Sequence, residues 1–96
     1  MNKNYVIEKV YNQYFDLFIN IGLRIYNLDL YTTEDMIHDS FAEALKDKQK
    51  IRVGTEAGVR NYTIMVFRNN CSRHIRKERV KIKSLGRYVR NLTGGN

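Results

Sequence analysis

Apolar residues recur at steps of three and four along most of this chain, and no proline interrupts them. That spacing returns side chains to one side of an α-helix, so it predicts amphipathic helices rather than strands, whose period is two. Ile7, Val10, Tyr14, Leu17 with Phe18, Ile21, Ile25 and Leu28 mark the first helix, from about Tyr5 to Leu28. The pattern lapses over Asn27 to Tyr31. Thr32-Thr33-Glu34-Asp35 then offers hydroxyls to accept from orphan amides, and acids suited to the positive end of a helix dipole, so a second helix is expected to start there. Met36, Ile37, Phe41, Ala44 and Leu45 form its stripe, which stops at Lys46-Asp47-Lys48-Gln49-Lys50. Ile51 to Thr55 reads as a short extended piece, in a connection that Gly54 and Gly58 leave free to turn. Val59, Tyr62, Met65, Val66, Asn69 and Ile75 carry a third helix, apolar at first and basic toward Lys83. Leu85, Tyr88, Val89 and Leu92 extend it by a turn or two, and Gly94-Gly95-Asn96 reads as a frayed tail. The expected fold is all-α: a three-helix orthogonal or antiparallel bundle with a long basic third helix, a single domain over 1–83 and a basic extension with a flexible tail over 84–96.

Ninety-six residues, 43% of them hydrophobic and 28% charged, suit one small globular domain. The longest uncharged apolar run, Leu17 to Leu23, is broken by Asn20 and Gly22 and falls far short of the roughly 20 residues that cross a bilayer. Glu8, Asn12, Gln13 and Asp16 stand where a secretory signal needs its apolar stretch, so a cytoplasmic protein is expected. The single cysteine, Cys71, excludes a disulfide framework and a cysteine-built zinc cage. Charge is segregated. Met1 to Lys50 carries six basic and eight acidic residues, 6 − 8 = −2, and Ile51 to Asn96 carries eleven against two, 11 − 2 = +9. One end suits a polyanion and the other a different partner.

Catalytic readings find little support. Glu34 and His38 are four apart on one helix face, and Glu43 lies near them, but His74 sits in the basic tract, where a metal cation is repelled. A solvated acidic face explains these residues better than a metal site. Cys71 and His74 are three apart, yet a buried thiol beside a surface imidazole accounts for them. No glycine-rich phosphate loop exists, and neither a metal nor a cofactor is expected. The dominant feature is Arg68 to Arg90, with nine basic residues (Arg68, Arg73, Arg76, Lys77, Arg79, Lys81, Lys83, Arg87, Arg90) against Glu78. On a helix, Arg68, Arg76, Arg79 and Lys83 share one side while Asn69, Arg73, Lys77 and Lys81 share the next, which suits a phosphate track. Asn69, Asn70 and Arg73 have the chemistry to add base contacts, and Tyr62 could stack on an unpaired base or belong to the core.

Thr33-Glu34-Asp35-Met36-Ile37-His38-Asp39-Ser40-Phe41, followed some twenty residues later by Tyr62-Thr63-Ile64-Met65-Val66-Phe67-Arg68-Asn69 and a basic helix, resembles region 2 of the bacterial sigma-70 family, in its extracytoplasmic-function branch. The similarity covers roughly Tyr11 to Lys83. His38 stands where glutamine is usual, Tyr62 where tryptophan is usual, and Arg73 where an acid or asparagine is common. The resemblance implies a non-enzymatic domain that binds core RNA polymerase and recognises and melts the −10 promoter element. It implies docking on the clamp helices of the largest polymerase subunit through Glu34, Asp35, His38 and Asp39. It also implies a loop, Val53, Gly54, Thr55, Glu56 and Ala57, that holds a base flipped from the non-template strand. Asn69 and Arg73 would then approach the duplex edge, with Arg68, Arg76, Lys77 and Arg79 on phosphates and Tyr62 close by. An anti-sigma factor is a further partner that the resemblance admits. Nothing after Lys83 is long enough for the helix-turn-helix of region 4, so the chain reads as a fragment holding region 2. The rival readings are a basic helical protein that binds DNA or RNA without sequence preference, and a small metal-dependent helical enzyme.

Overall fold

The computed structural model describes residues 2–92, and the tail at Gly94-Gly95-Asn96 lies outside them. Among the described residues all regular structure is helical: α1 (Lys3–Asn20), α2 (Leu30–Lys46) and α3 (Glu56–Leu92), each packed on the other two. A wide five-residue π-turn, Ile21–Ile25, continues α1, and a single 3₁₀ turn, Lys48–Lys50, comes after α2. Ile51 to Thr55 forms no strand; Ile51 is buried and plugs the bundle.

Three starts differ from expectation, each for a local reason. Asn2 caps α1 by accepting from the Asn4 N–H at 2.9 Å, so the helix starts at Lys3, two residues before the expected Tyr5. Asp29, not Thr32 or Thr33, caps α2, accepting from the Thr32 N–H at 3.2 Å. Hydrogen bonding from Thr32, its side chain first, holds the Asp29 carboxyl below its usual value. Thr33 is drawn inside the helix instead, where its hydroxyl donates to the Asp29 carbonyl at 2.8 Å and its side chain is fully buried. Thr55 caps α3, accepting from the Gly58 N–H at 3.2 Å, so Glu56 and Ala57, expected in the loop, form the first helical turn.

The π-turn changes the register of the first stripe. Its extra residue rotates the remainder of the helix, and Ile25 ends 63% exposed rather than in the core. The turn closes at Asn27, whose φ of 55° is left-handed, while the Leu28 N–H reaches the Gly22 carbonyl at 3.0 Å. Gly22 itself is buried against Thr33, and a β-carbon there would collide with the Thr33 methyl group. The end of α1 can therefore approach α2 only where no side chain intervenes.

An aromatic centre joins the three helices. Phe18 of α1 meets Phe41 of α2 at 5.2 Å and Phe67 of α3 at 5.3 Å between ring centroids, both edge-to-face. Val6, Ile7, Val10, Ile37, Ala44, Val59 and Cys71 surround it. The buried polar groups are satisfied. Ser40 donates to the Met36 carbonyl at 2.6 Å and accepts from Asn70 Nδ2 at 3.0 Å, tying α3 to α2.

Burial pushes the Cys71 thiol up to about 11. Folding thus favours the protonated thiol, a contribution fully present below the unfolded value of about 8.5 and lost as pH rises toward about 11. We expect Cys71 to resist a thiol reagent at pH 8 until urea unfolds the chain, so that labelling tracks the loss of helicity. Fast labelling of the folded protein would show that the thiol is open.

Candidate nucleic-acid interface

Helix α3 is 37 residues long, about 55 Å at the usual rise, and buries one side only: Val59, Thr63, Val66, Phe67 and Cys71. At about 100° per residue, Met65, Arg68, Asn69, Ser72, Arg76, Arg79 and Lys83 fall together within about 100° of its surface. All seven are exposed. Alternation of burial and charge along this helix therefore turns the basic half of the sequence into a single outward track. Arg68 is steadied by donating from Nε to the Tyr26 hydroxyl at 3.1 Å.

The structure separates the expected DNA-binding residues. Arg68, Asn69, Arg76 and Arg79 lie on the outward track. Tyr62 is half-buried at its margin and packs against the core. Arg73 and Lys77 turn toward α2, where with Met36, Asp39, Glu43, Asn70 and His74 they line a cleft of about 250 Å³. Arg73 donates to Asn70 Oδ1 at 3.3 Å, and Asn70 is committed to Ser40, so Asn70 braces two helices rather than facing outward.

At the other end of α3, the loop residues Gly54 and Thr55 and the helical Glu56 line a hollow of about 600 Å³ whose remaining walls are Lys3, Tyr5, Val6 and Lys9 of α1. Val53 stands 57% exposed beside it, and its carbonyl and side chain press so closely on Gly58 that a β-carbon there would collide with both. Lys3 Nζ donates to the Ile51 carbonyl at 2.9 Å and the Lys48 carbonyl at 3.2 Å, fixing the turn to α1. Lys9 pairs with Glu56 at 3.5 Å. Tyr5, 62% exposed, presents a free aromatic ring to the hollow. Tyr5, Lys3 and Lys9 were missed by sequence reasoning because they are some fifty positions from the loop; Tyr5 and Lys9 lie on the polar side of the α1 stripe, and Lys3, in line with the stripe, is a charged residue ahead of its first apolar member.

The acidic residues of α2 do not share one surface: Asp39 and Glu43 line the cleft against α3. Asp35 and Asp39 are exposed and Glu34 is half-buried. His38 faces the α1 side, where its Nε2 lies 3.1 Å from the Tyr11 hydroxyl. Asp39 lines the opposite cleft, with Arg73 and Lys77. No group of three His, Cys, Asp or Glu side chains among the described residues could hold a metal ion, and no described helix is long and apolar enough to cross a membrane. No known family profile, curated protein or solved structure matches the chain.

Proposed function

We propose that this chain is a sigma region 2-type domain, non-catalytic by itself, that binds core RNA polymerase through α2 and the −10 promoter element through α3 and the α1–loop hollow. The observation that carries the reading is the presence on one helix of an exposed basic track and, at its N-terminal end, a hollow with an aromatic wall. A single strand running along Lys83, Arg79, Arg76 and Arg68 toward Gly54 meets phosphate-binding side chains first and, last, a hollow of about 600 Å³ with room for an extruded base. Tyr5 supplies a stacking surface there, and Lys3, held on the Lys48 and Ile51 carbonyls, supplies positive charge, while Glu56 offsets Lys9. Melting then needs no catalytic group, since capturing an extruded base offsets the few kcal/mol of its unstacking.

The test is anisotropy with matched oligonucleotides. The domain should prefer single-stranded −10 DNA of the non-template sense over the same sequence as duplex, and one abasic position should weaken binding. Tyr5→Ala should cost about 1–3 kcal/mol, the usual value of one base–aromatic stack. A binder driven by charge alone favours the duplex, with its denser phosphates, and ignores abasic positions; that outcome selects the non-specific reading.

The polymerase half is tested separately. His38→Ala with Asp39→Lys alters two exposed side chains, so circular dichroism should be unchanged while affinity for core polymerase falls by at least about tenfold, 1.4 kcal/mol. Unaltered affinity in the titration would remove α2 from the docking surface.

A further inference from the structure

Helix α3 continues well beyond the bundle. Every residue from Arg76 to Leu92 is exposed, a rod of about 25 Å whose Lys77 still borders the cleft against α2. Along it Ile82, Leu85, Val89 and Leu92 succeed one another at steps of three, four and three, with 49% to 68% of each surface in water. They fall within about 80° of the helix surface, the narrow seam of a two-helix coiled coil rather than the broader apolar side of an interfacial helix. The seam lies about 140° around the helix from the row Arg76, Arg79, Lys83 and Arg87, so phosphates on that row leave it uncovered.

We propose that this seam docks an acidic amphipathic helix of a partner protein. Charge selects the occupant. The segment from Arg76 to Leu92 holds seven basic residues and one acid, Glu78, which heads the seam and pairs with Lys81 at 3.4 Å; Arg79 and Lys81 border the seam. A second copy would set two such strongly basic rods side by side, within about a Debye length. A helix with apolar a and d positions and glutamates beside them would bury the seam and neutralise its margins. A partner bound here shares only Arg79 with the basic track and leaves Arg68, Arg76 and Lys83 to phosphates, so the proposal does not depend on the DNA-binding reading.

The probe is a synthetic peptide of about four heptads with leucine at a and d and glutamate at e and g. Titrated by anisotropy into the full chain, it should bind, and Leu85→Gln with Val89→Gln should weaken it by at least about tenfold while helicity and the urea midpoint are retained. A control peptide with serine at a and d and the same glutamates should bind at least about tenfold more weakly. Equal binding of both peptides, or of the probe to both proteins, reduces the contact to charge and overturns the proposal. So does failure of the probe to bind where sedimentation shows self-association, or flotation shows capture by phosphatidylglycerol vesicles, that the double substitution abolishes.

Discussion

Phe18→Ala is expected to cost about 3–5 kcal/mol of folding free energy, the usual range for removing a buried phenylalanine. Phe18 has no exposed surface and is the one ring in contact with both Phe41 and Phe67, so its removal opens a cavity where all three helices meet. Small domains hold about 5–15 kcal/mol in total, and a chain whose basic rod adds nothing to the core belongs near the lower end. The variant should therefore lose most of its urea midpoint and be partly unfolded at 37 °C. Leu17→Ala is the control. Leu17 is adjacent in sequence but 40% exposed, and its loss should cost under about 1.5 kcal/mol because a half-wet side chain leaves little cavity. Equal effects at the two positions, read by circular dichroism in urea, would mean that the aromatic centre does not organise the bundle.

The contrast between Phe18 and Leu17 also shows what periodicity can and cannot deliver. Steps of three and four located all three helices, because amphipathic spacing is a direct consequence of 3.6 residues per turn. They could not tell Leu17 from Phe18, which stand on opposite edges of one stripe, until neighbouring helices chose between them. They failed at Ile25 because a π-turn has no signature in apolar spacing; the nearest signal was Gly22, whose close approach to Thr33 becomes evident only once α2 is in place. Phe67 was legible only as part of a motif, although it is a central core ring. Thr33, Ser40 and Thr63 are fully buried, and nothing in their polarity announces it. Each satisfies its hydroxyl on a carbonyl of its own helix, Thr63 on Val59 at 2.9 Å, which lets it pass as a small core residue.

The candidate site divides along the same line. The basic track was legible because it lies within one helix, where spacing alone decides which side chains share a side. The hollow was not, since its walls come from α1 and from the loop before α3, and no one-dimensional pattern joins Tyr5 to Gly54. Arg73 and Lys77 illustrate the intermediate case. Their spacing places them beside the track, but only the packing of α2 turns them toward Asp39 and Glu43.

That division sets the largest expected effect on binding. Changing Arg68, Arg76, Arg79 and Lys83 together to glutamine should weaken single-stranded DNA by several hundredfold at about 0.1 M salt, since each phosphate contact on a single strand contributes about 0.7 to the salt slope and hence about fivefold at that concentration. The slope should fall by nearly three units, on every sequence alike. Stability should change little, because all four side chains are exposed; Arg68 loses only its bond to Tyr26. Arg73→Gln with Lys77→Gln should remove less than one unit of slope, as the carboxylates of Asp39 and Glu43 across the cleft already offset those cations. Asn69→Ala, on the track but uncharged, should leave the slope unaltered and change the preference among −10 sequences. Salt titrations of the three variants separate these outcomes. If the cleft pair lowers the slope as much per residue as the track does, phosphates run between α2 and α3, and the outward face of α3 is not the path of the strand.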